Sequence, residues 1–372
     1  MNTGNVKLEK AIALLNQRGL NGLIIYSGGT SMILRPSYLH YFSGFKPMGA
    51  RNAVILSKSG EVALLVEPEW DAMRASKKSW IKDIKGSSDF LKELKATLHR
   101  FKIKGPVGLV GSREMKEEVY MAIKKEVTIQ LADDIIQEIA REKTEKEIEI
   151  VRKAGKIGDV GFEAFLEHAR VGIREYELVA EVEFAMRYAG ADEVFILLSS
   201  GKHNYAMHGA TDRRLREGDI VIGEIAPVCE GQFLQVCRTV VLGKADPLLI
   251  EKYKMLVYAL EESMKTIKSG APASMMSIVM NRIISDAGYG EYCRPPHMRA
   301  RGHGFGAGSV APGTAIDDHI KVNLERHQVI VVHPNQYIPE TGYLACGETI
   351  LVTDTGLERL ANTETKLYAK EG

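Results

Sequence analysis

The sequence predicts an α+β protein: an α/β unit over residues 1–141, then a second unit over 142–372 in which helices stand apart from antiparallel strands. Three observations lead there. The chain has 372 residues, and domains commonly run to about 100–200. Its first part alternates short apolar runs with helical periodicity. From Thr144 onward, long amphipathic stretches are separated from apolar runs joined by short turns, the pattern of segregated helices and sheet.

The elements follow in order. Leu8, Ala11, Ile12 and Leu15 recur at helical spacing, and Gly19 offers a stop. Leu23–Tyr26 is a short apolar strand. Ala53–Leu56 and Val62–Val66 flank Ser57-Lys58-Ser59-Gly60, a hairpin signal. Val107–Val110 follows a Gly-Pro break and is another strand. A long helix should begin at Thr144, with Ile148, Val151, Gly155, Gly158, Phe162 and Phe165 along one face. A second helix covers Glu175–Tyr188. A third runs from about Glu251 to Lys268, with Tyr253, Leu256, Val257, Leu260, Met264 and Ile267 in phase. Strands are expected at Val194–Leu198, Asp219–Ala226, Phe233–Leu242, Val329–His333 and Glu348–Thr353. The tail, Ala361–Gly372, reads as solvated, and no repeat or low-complexity stretch is visible.

Composition excludes several function classes. Hydrophobic residues are 45%, charged residues 26% and the formal net charge is +1. These are the proportions of a globular protein with a substantial core, and nothing favours nucleic acid or an anionic membrane. Cys229, Cys237, Cys293 and Cys346 form no CxxC pair or zinc-ribbon spacing. They read as free thiols in a reducing compartment. Met1–Lys10 is polar and charged, unlike a signal peptide. No apolar run approaches the ~18 residues of a membrane span. The expectation is a cytoplasmic protein without nucleic-acid or membrane partners.

The chemistry gathers in the second unit. Gly218–Glu224 enters a strand, Cys229-Glu230-Gly231 turns, and a return strand ends near Gly243. Glu224 and Gln235 lie almost symmetrically about that turn, so they should face one another across the hairpin. Glu224 stands among Ile222, Ile225, Ala226 and Pro227. It is either a solvated strand residue or a carboxylate that needs a partner in apolar surroundings.

Three blocks in this order carry a family resemblance: Thr211–Asp219, the hairpin ending Arg238-Thr239, and Gly302-His303-Gly304-Phe305-Gly306. Together with Glu142–Arg152, Gly172–Leu178, Gly347–Gly356 and, more weakly, Tyr41–Phe45, they resemble the creatinase/prolidase family over nearly the whole chain. That family includes Xaa-Pro aminopeptidases, prolidases, methionine aminopeptidases and creatinase. The resemblance implies a creatinase-type N-terminal domain, a pita-bread C-terminal domain, and a homodimer. Its peptidases hold two divalent metals with two Asp, one His and two Glu. Position by position, these fall on Glu224, Gln235, His303, His333 (before Pro334) and Gly347 (beside Glu348). With Gln235 neutral and Gly347 lacking a side chain, the dinuclear site should not form. Glu224, His303 and His333 could still hold one divalent ion, or form a metal-free hydrogen-bonded cluster. The family's second His, followed by Glu, falls on Val310-Ala311.

His208 matches the family's outer histidine, which contacts substrate in the peptidases and moves a proton in creatinase. Its other reading is a loop histidine capping a backbone carbonyl. Arg51 is a candidate for a substrate carboxylate, reaching the partner's pocket in a dimer, or else a surface Arg. Phe45, Tyr205 and Gln235 join it as substrate-contact candidates, and Arg299 and Arg301 are further candidates for the carboxylate. Arg238 is expected to pair with an internal carboxylate. The leading expectation is a hydrolase of a C–N bond (amide, amidine or peptide-like) in a small polar substrate, working without a metal cofactor, as creatinase and ectoine hydrolase do. His208 would be its general acid/base. Glu224 would orient the substrate nitrogen, His303 and His333 would hold developing negative charge, and Glu348 completes the catalytic set. The alternatives are a metal-dependent Xaa-Pro dipeptidase with an altered site, a non-catalytic binding module, and a lyase.

Overall fold

The apolar runs of the first 140 residues become one mixed sheet in the computed structural model, which describes residues 3–29, 37–305 and 315–371. Its strands are β1 (Gly22–Ser27), β2 (Asn52–Ser57), β3 (Val62–Val66), β4 (Asp83–Gly86), β5 (Pro106–Val110) and β6 (Thr128–Leu131), in the order β4-β3-β2-β1-β5-β6. The β2–β3 hairpin is antiparallel. Its turn closes as Ser57 N donates to Glu61 O at 2.9 Å and Gly60 takes a φ of +98° that favours glycine. Around the sheet run α1 (Thr3–Gln17), α2 (Tyr38–Ser43), α3 (Asp71–Lys78), α4 (Phe90–Arg100), α5 (Glu117–Glu126) and α6 (Asp133–Arg141). Phe90, Leu94, Leu98, Val119 and Ile123 cover one face of it.

The chain divides into two units between Ala140 and Arg141. The second begins with α7 (Glu145–His168). Thr144 caps it, its side chain accepting from Glu147 N while Glu147 returns the bond to the Thr144 backbone. α8 (Glu175–Tyr188) lies against it. A sheet in the order β17-β10-β8-β7 follows, from β7 (Glu193–Gly201), β8 (Ile220–Cys229), a two-residue β9 (Gln232–Phe233), β10 (Val236–Leu242) and β17 (Leu367–Lys370). α9 (Pro247–Met264) and α10 (Ser274–Ile284) pack together. A second sheet, β11-β12-β15-β16, uses Gly302–Phe305, Val329–Val332, Glu348–Val352 and Leu357–Arg359. A ribbon of β13 (Gln336–Ile338) and β14 (Gly342–Leu344) stands beside it in sequence.

Several boundaries differ from expectation for physical reasons. α9 begins four residues before the predicted Glu251, because Asp246 accepts from Leu248 N and Pro247 suits the first helical turn. The predicted strand Phe233–Leu242 is broken at Leu234-Gln235. The tail is not simply solvated: β17 pairs parallel with β10, and Tyr368 packs against Phe162 at a ring distance of 5.0 Å. Among the described residues no helix is long and apolar enough to cross a membrane.

Candidate functional site

The two faces of the β7-β8-β10 sheet are distinguished by glycines on neighbouring elements. A Cβ at Gly223 would touch Phe165, one at Gly161 would meet Ile225, and one at Gly158 would meet Leu234 and Val236. Gly223, Ile225, Leu234 and Val236 therefore face α7. By alternation Glu224, Gln235 and Cys237 face the other way. The hairpin register corrects the expected pairing: Glu224 lies opposite Cys237, with Gln235 two residues further along the same strand. The face is the expected one; the partner is not, because the strands join through the two residues Glu230-Gly231, and the centre of that turn lies beyond the midpoint of Glu224 and Gln235.

The row continues into the second sheet. Cys237 forms an isolated bridge with Gly347. A Cβ at Gly347 would lie 2.9 Å from His333 Cβ and 3.1 Å from Val332 O. His333 thus occupies space that a side chain at 347 would need. His333 N donates to Arg301 O at 3.0 Å, and His303 sits on the neighbouring strand, with the two imidazole rings 5.6 Å apart, edge to face. Glu224, Gln235, Cys237, His333 and His303 are brought along one line.

Burial sets their charge states. It lifts the partly exposed Glu224 carboxyl to about 7, against an opposing pull from the Arg299 guanidinium. His303 is pushed down to about 4 by burial, partly offset by the Gly304 carbonyl, which its Nδ1 meets at 3.3 Å. His333 goes down to about 3 through burial, then through His303 and the positive charges of Arg301 and Arg299. Both imidazoles are therefore neutral at pH 7. Burial raises the Tyr343 hydroxyl well above its ordinary value, with Cys237 and Glu224 adding to the rise and Arg299 and Arg301 opposing it. Gln235 Oε1 and Nε2, His333 Nδ1 and the Tyr343 hydroxyl are buried and, among the described residues, find no hydrogen-bond partner. Buried polar atoms are seldom left so, and their concentration here points to a ligand.

The other expected residues are placed elsewhere or engaged. Glu348 does not join the row. Its side chain turns to the opposite face of its strand, where Oε1 accepts from Arg238 at 2.7 Å and from Thr365. Arg238 and Glu348 are 0% and 1% exposed, so this is an internal ion pair. His208 is exposed, in a backbone bridge with Leu198, and its Nδ1 meets the Gly209 carbonyl at 2.8 Å. That contact is the bland one, and among the described residues no hydrogen bond links His208 to Glu224. The loop bearing it is tied down by Arg213, forked onto Asp219 at 2.6 and 2.9 Å, and by Thr211 on Glu175. In the N-terminal unit, the Arg51 fork is filled by Glu67 at 2.5 and 2.7 Å, which removes the donors a substrate carboxylate would use. Phe45 is fully buried beneath the Arg74 guanidinium, 4.5 Å from the ring centroid, and cannot touch a substrate. Tyr205 is 74% exposed and stacks on Tyr337 at 6.0 Å. Tyr337 pairs across the ribbon with Tyr343. Val310-Ala311 lie outside the described residues. Sequence reasoning missed Tyr343 and Cys237; neither stands in a motif that marks it.

The donor set does not fit a two-metal centre. At the five positions assigned by resemblance, Gln235 offers a neutral amide and Gly347 nothing, and His333 crowds the space at 347. Among the described residues, no three His, Cys, Asp or Glu side chains gather closely enough to hold an ion, and this includes Glu224, His303 and His333.

Comparison with known proteins places this arrangement in a family. The model of metallopeptidase family M24 matches residues 149–354. The chain belongs to that family. It is a creatinase/prolidase-type hydrolase acting on C–N bonds, and its C-terminal unit has the pita-bread fold. An Xaa-Pro dipeptidase from Pyrococcus furiosus is 27% identical over 365 residues, covering 97% of this chain and 99% of that protein. One from Pyrococcus horikoshii is 28% identical over 372 residues. The solved prolidase from Pyrococcus horikoshii superposes with a TM-score of 0.84 at 26% identity, covering 96% of this chain and 99% of that one. This kinship gives the metal-free expectation no support and favours the metal-dependent alternative. Within this M24 chain the side chains at the five positions point the other way.

Proposed function

We propose that this chain hydrolyses a C–N bond in a small peptide-like substrate held along the Glu224–His333 row, with Glu224 moving the proton. The observation that carries the reading is Glu224 itself: a partly exposed carboxyl whose pKa of about 7 lets both forms exist near neutral pH. As carboxylate it takes a proton from water while the water oxygen attacks the carbonyl carbon. As carboxylic acid it returns that proton to the leaving nitrogen as the C–N bond breaks. The unpartnered Gln235 amide and the neutral His333 imidazole are suited to donate to the carbonyl oxygen as its negative charge grows. His303 braces His333 edge to face. In this reading the proton-transfer role expected of His208 passes to Glu224, because His208 is exposed and, among the described residues, no carboxylate hydrogen-bonds to it.

A second reading is favoured by kinship: a metal-dependent Xaa-Pro dipeptidase, after the relatives of that name. The residues it would need, Glu224, His303 and His333, do not gather closely enough in this structure to hold an ion, so kinship alone carries this reading. The relatives are peptidases by name, which leaves a non-catalytic binding role without support. One experiment separates the readings. Purified protein is assayed on Xaa-Pro dipeptides before and after chelation, with elemental analysis alongside. Activity that survives chelation and falls in Glu224→Gln supports the proposal. Activity abolished by chelation and restored by a divalent ion establishes the second reading.

A further inference from the structure

Gln235 is the residue of the row whose surroundings explain it least. It is 1% exposed, yet among the described residues neither Oε1 nor Nε2 finds a hydrogen-bond partner. Which end is the oxygen does not matter, because both are open. Gln232 and Gln328 are buried too, but each leaves one end open: Gln232 Nε2 donates to Glu147 at 3.4 Å, and Gln328 Oε1 accepts from Glu325 N at 3.1 Å. The backbone of Gln235 is pinned, since Thr349 Oγ1 accepts from its N at 3.1 Å and donates to its O at 2.7 Å. The hairpin register makes Gln235 the diagonal neighbour of Glu224 on one face, a separation that long side chains bridge. Glu224 and His303 are partly exposed, so the row meets solvent at both.

A side-chain amide with both ends open is complementary to a group that offers N–H and C=O along one edge. A primary carboxamide and a ureido group have such an edge. A trans peptide bond does not, because its N–H and C=O point to opposite sides. An Xaa-Pro bond has no N–H at all. Either would leave one end of Gln235 buried and unpaired, which is costly. We infer that Gln235 pairs edge to edge with a primary carboxamide or ureido group, and that this group carries the bond cleaved. Nε2 donates to the carbonyl oxygen while Oε1 accepts from the nitrogen that leaves. The water oxygen adds to the carbonyl carbon, the C–N bond breaks, and the water proton passes through Glu224 to the nitrogen. A carboxamide and water give a carboxylic acid and ammonia; a ureido group and water give a carbamic acid and ammonia. The inference rests on the proposed hydrolysis for the bond cleaved, but the pairing is read by binding alone.

The probes are propionamide and N-methylurea against N,N-dimethylpropionamide and tetramethylurea, in which methyl groups replace every N–H. Each is titrated into the full chain and followed by saturation-transfer NMR. At least one unmethylated probe should bind roughly 10–100-fold more tightly than its methylated partner, the range for two hydrogen bonds, and should release ammonia. Preference for propionamide assigns a carboxamide, and preference for N-methylurea a ureido group. Gln235→Met should erase the preference without lowering the melting temperature, since the amide it removes has no partner in the unliganded chain. Gln235→Asn, which withdraws the same amide by one methylene, should weaken it. Equal binding within both pairs, no binding of either unmethylated probe, or a preference that survives in Gln235→Met overturns the pairing. Cleavage of Gly-Pro with equal binding in both pairs removes the pairing and leaves the hydrolase standing. A preference with no ammonia released and no Gly-Pro cleaved leaves the pairing and removes the hydrolysis.

Discussion

Replacing Glu224 with Gln keeps the side chain's size and removes its titration, which gives a sharp test of the site's electrostatics. Burial lifts this carboxyl from 4.5 to about 7. The folded-state value is the higher one, so its contribution to stability is complete below pH 4.5 and is lost as pH rises toward 7. Between those values the folded chain keeps a proton that the unfolded chain has released. A tenfold change in proton affinity corresponds to about 1.4 kcal/mol, so the full interval is on the order of 3 kcal/mol. The Gln variant has no such loss. Urea-unfolding midpoints of the two proteins, followed by a probe in the C-terminal unit at several pH values from about 5 to 8.5, should therefore converge at the acid end. They should separate in the variant's favour toward the alkaline end. His303 and His333 titrate in both proteins and largely cancel from the difference. The same substitution should lower turnover by ~10²–10⁴, the range for a lost general acid/base. A stability difference that stays flat across this pH range would refute the burial assigned to Glu224, and with it the reason for placing the proton there.

Other outcomes follow from the same geometry. His208→Ala should keep turnover within about fivefold of the parent, well short of the ~10²–10⁴ loss of a proton-transfer group; a larger fall would return His208 to the mechanism. Gly347→Ala should destabilise the fold by about 1–3 kcal/mol, because its new Cβ would crowd His333 Cβ at 2.9 Å; an unchanged melting temperature would contradict this. Glu348→Ala should lower stability by roughly 3–5 kcal/mol, since it leaves Arg238 buried without its carboxylate; a variant that melts normally and loses only kcat would restore Glu348 to the active site. Gln235→Asp alone should not create tight binding of two divalent ions, as measured by elemental analysis, because Gly347 still supplies no ligand.

The sequence by itself determined the two-part organisation, the main helices and most strands, because apolar periodicity is a local property that the chain must display to be buried. It also determined the family, since the order of the Thr211–Asp219, Arg238-Thr239 and Gly302–Phe305 blocks survives at low identity. The pairing of Arg238 with an internal carboxylate was legible because a cation among Cys237, Val240 and Val241 needs a partner. What only the tertiary structure decided was direction and company. Glu348 and His333 sit in neighbouring strand positions, yet alternation sends one carboxylate to Arg238 and one imidazole toward Gly347. Arg51 reads in sequence as a candidate for a substrate carboxylate, and only a long-range contact shows its fork already occupied by Glu67. Tyr343 carries no motif, and becomes a site residue because the ribbon carries its hydroxyl to where Arg299 and Glu224 act. Periodicity records which residues are buried; which charges remain uncompensated depends on neighbours far away in the chain, and those are fixed only when the two sheets meet.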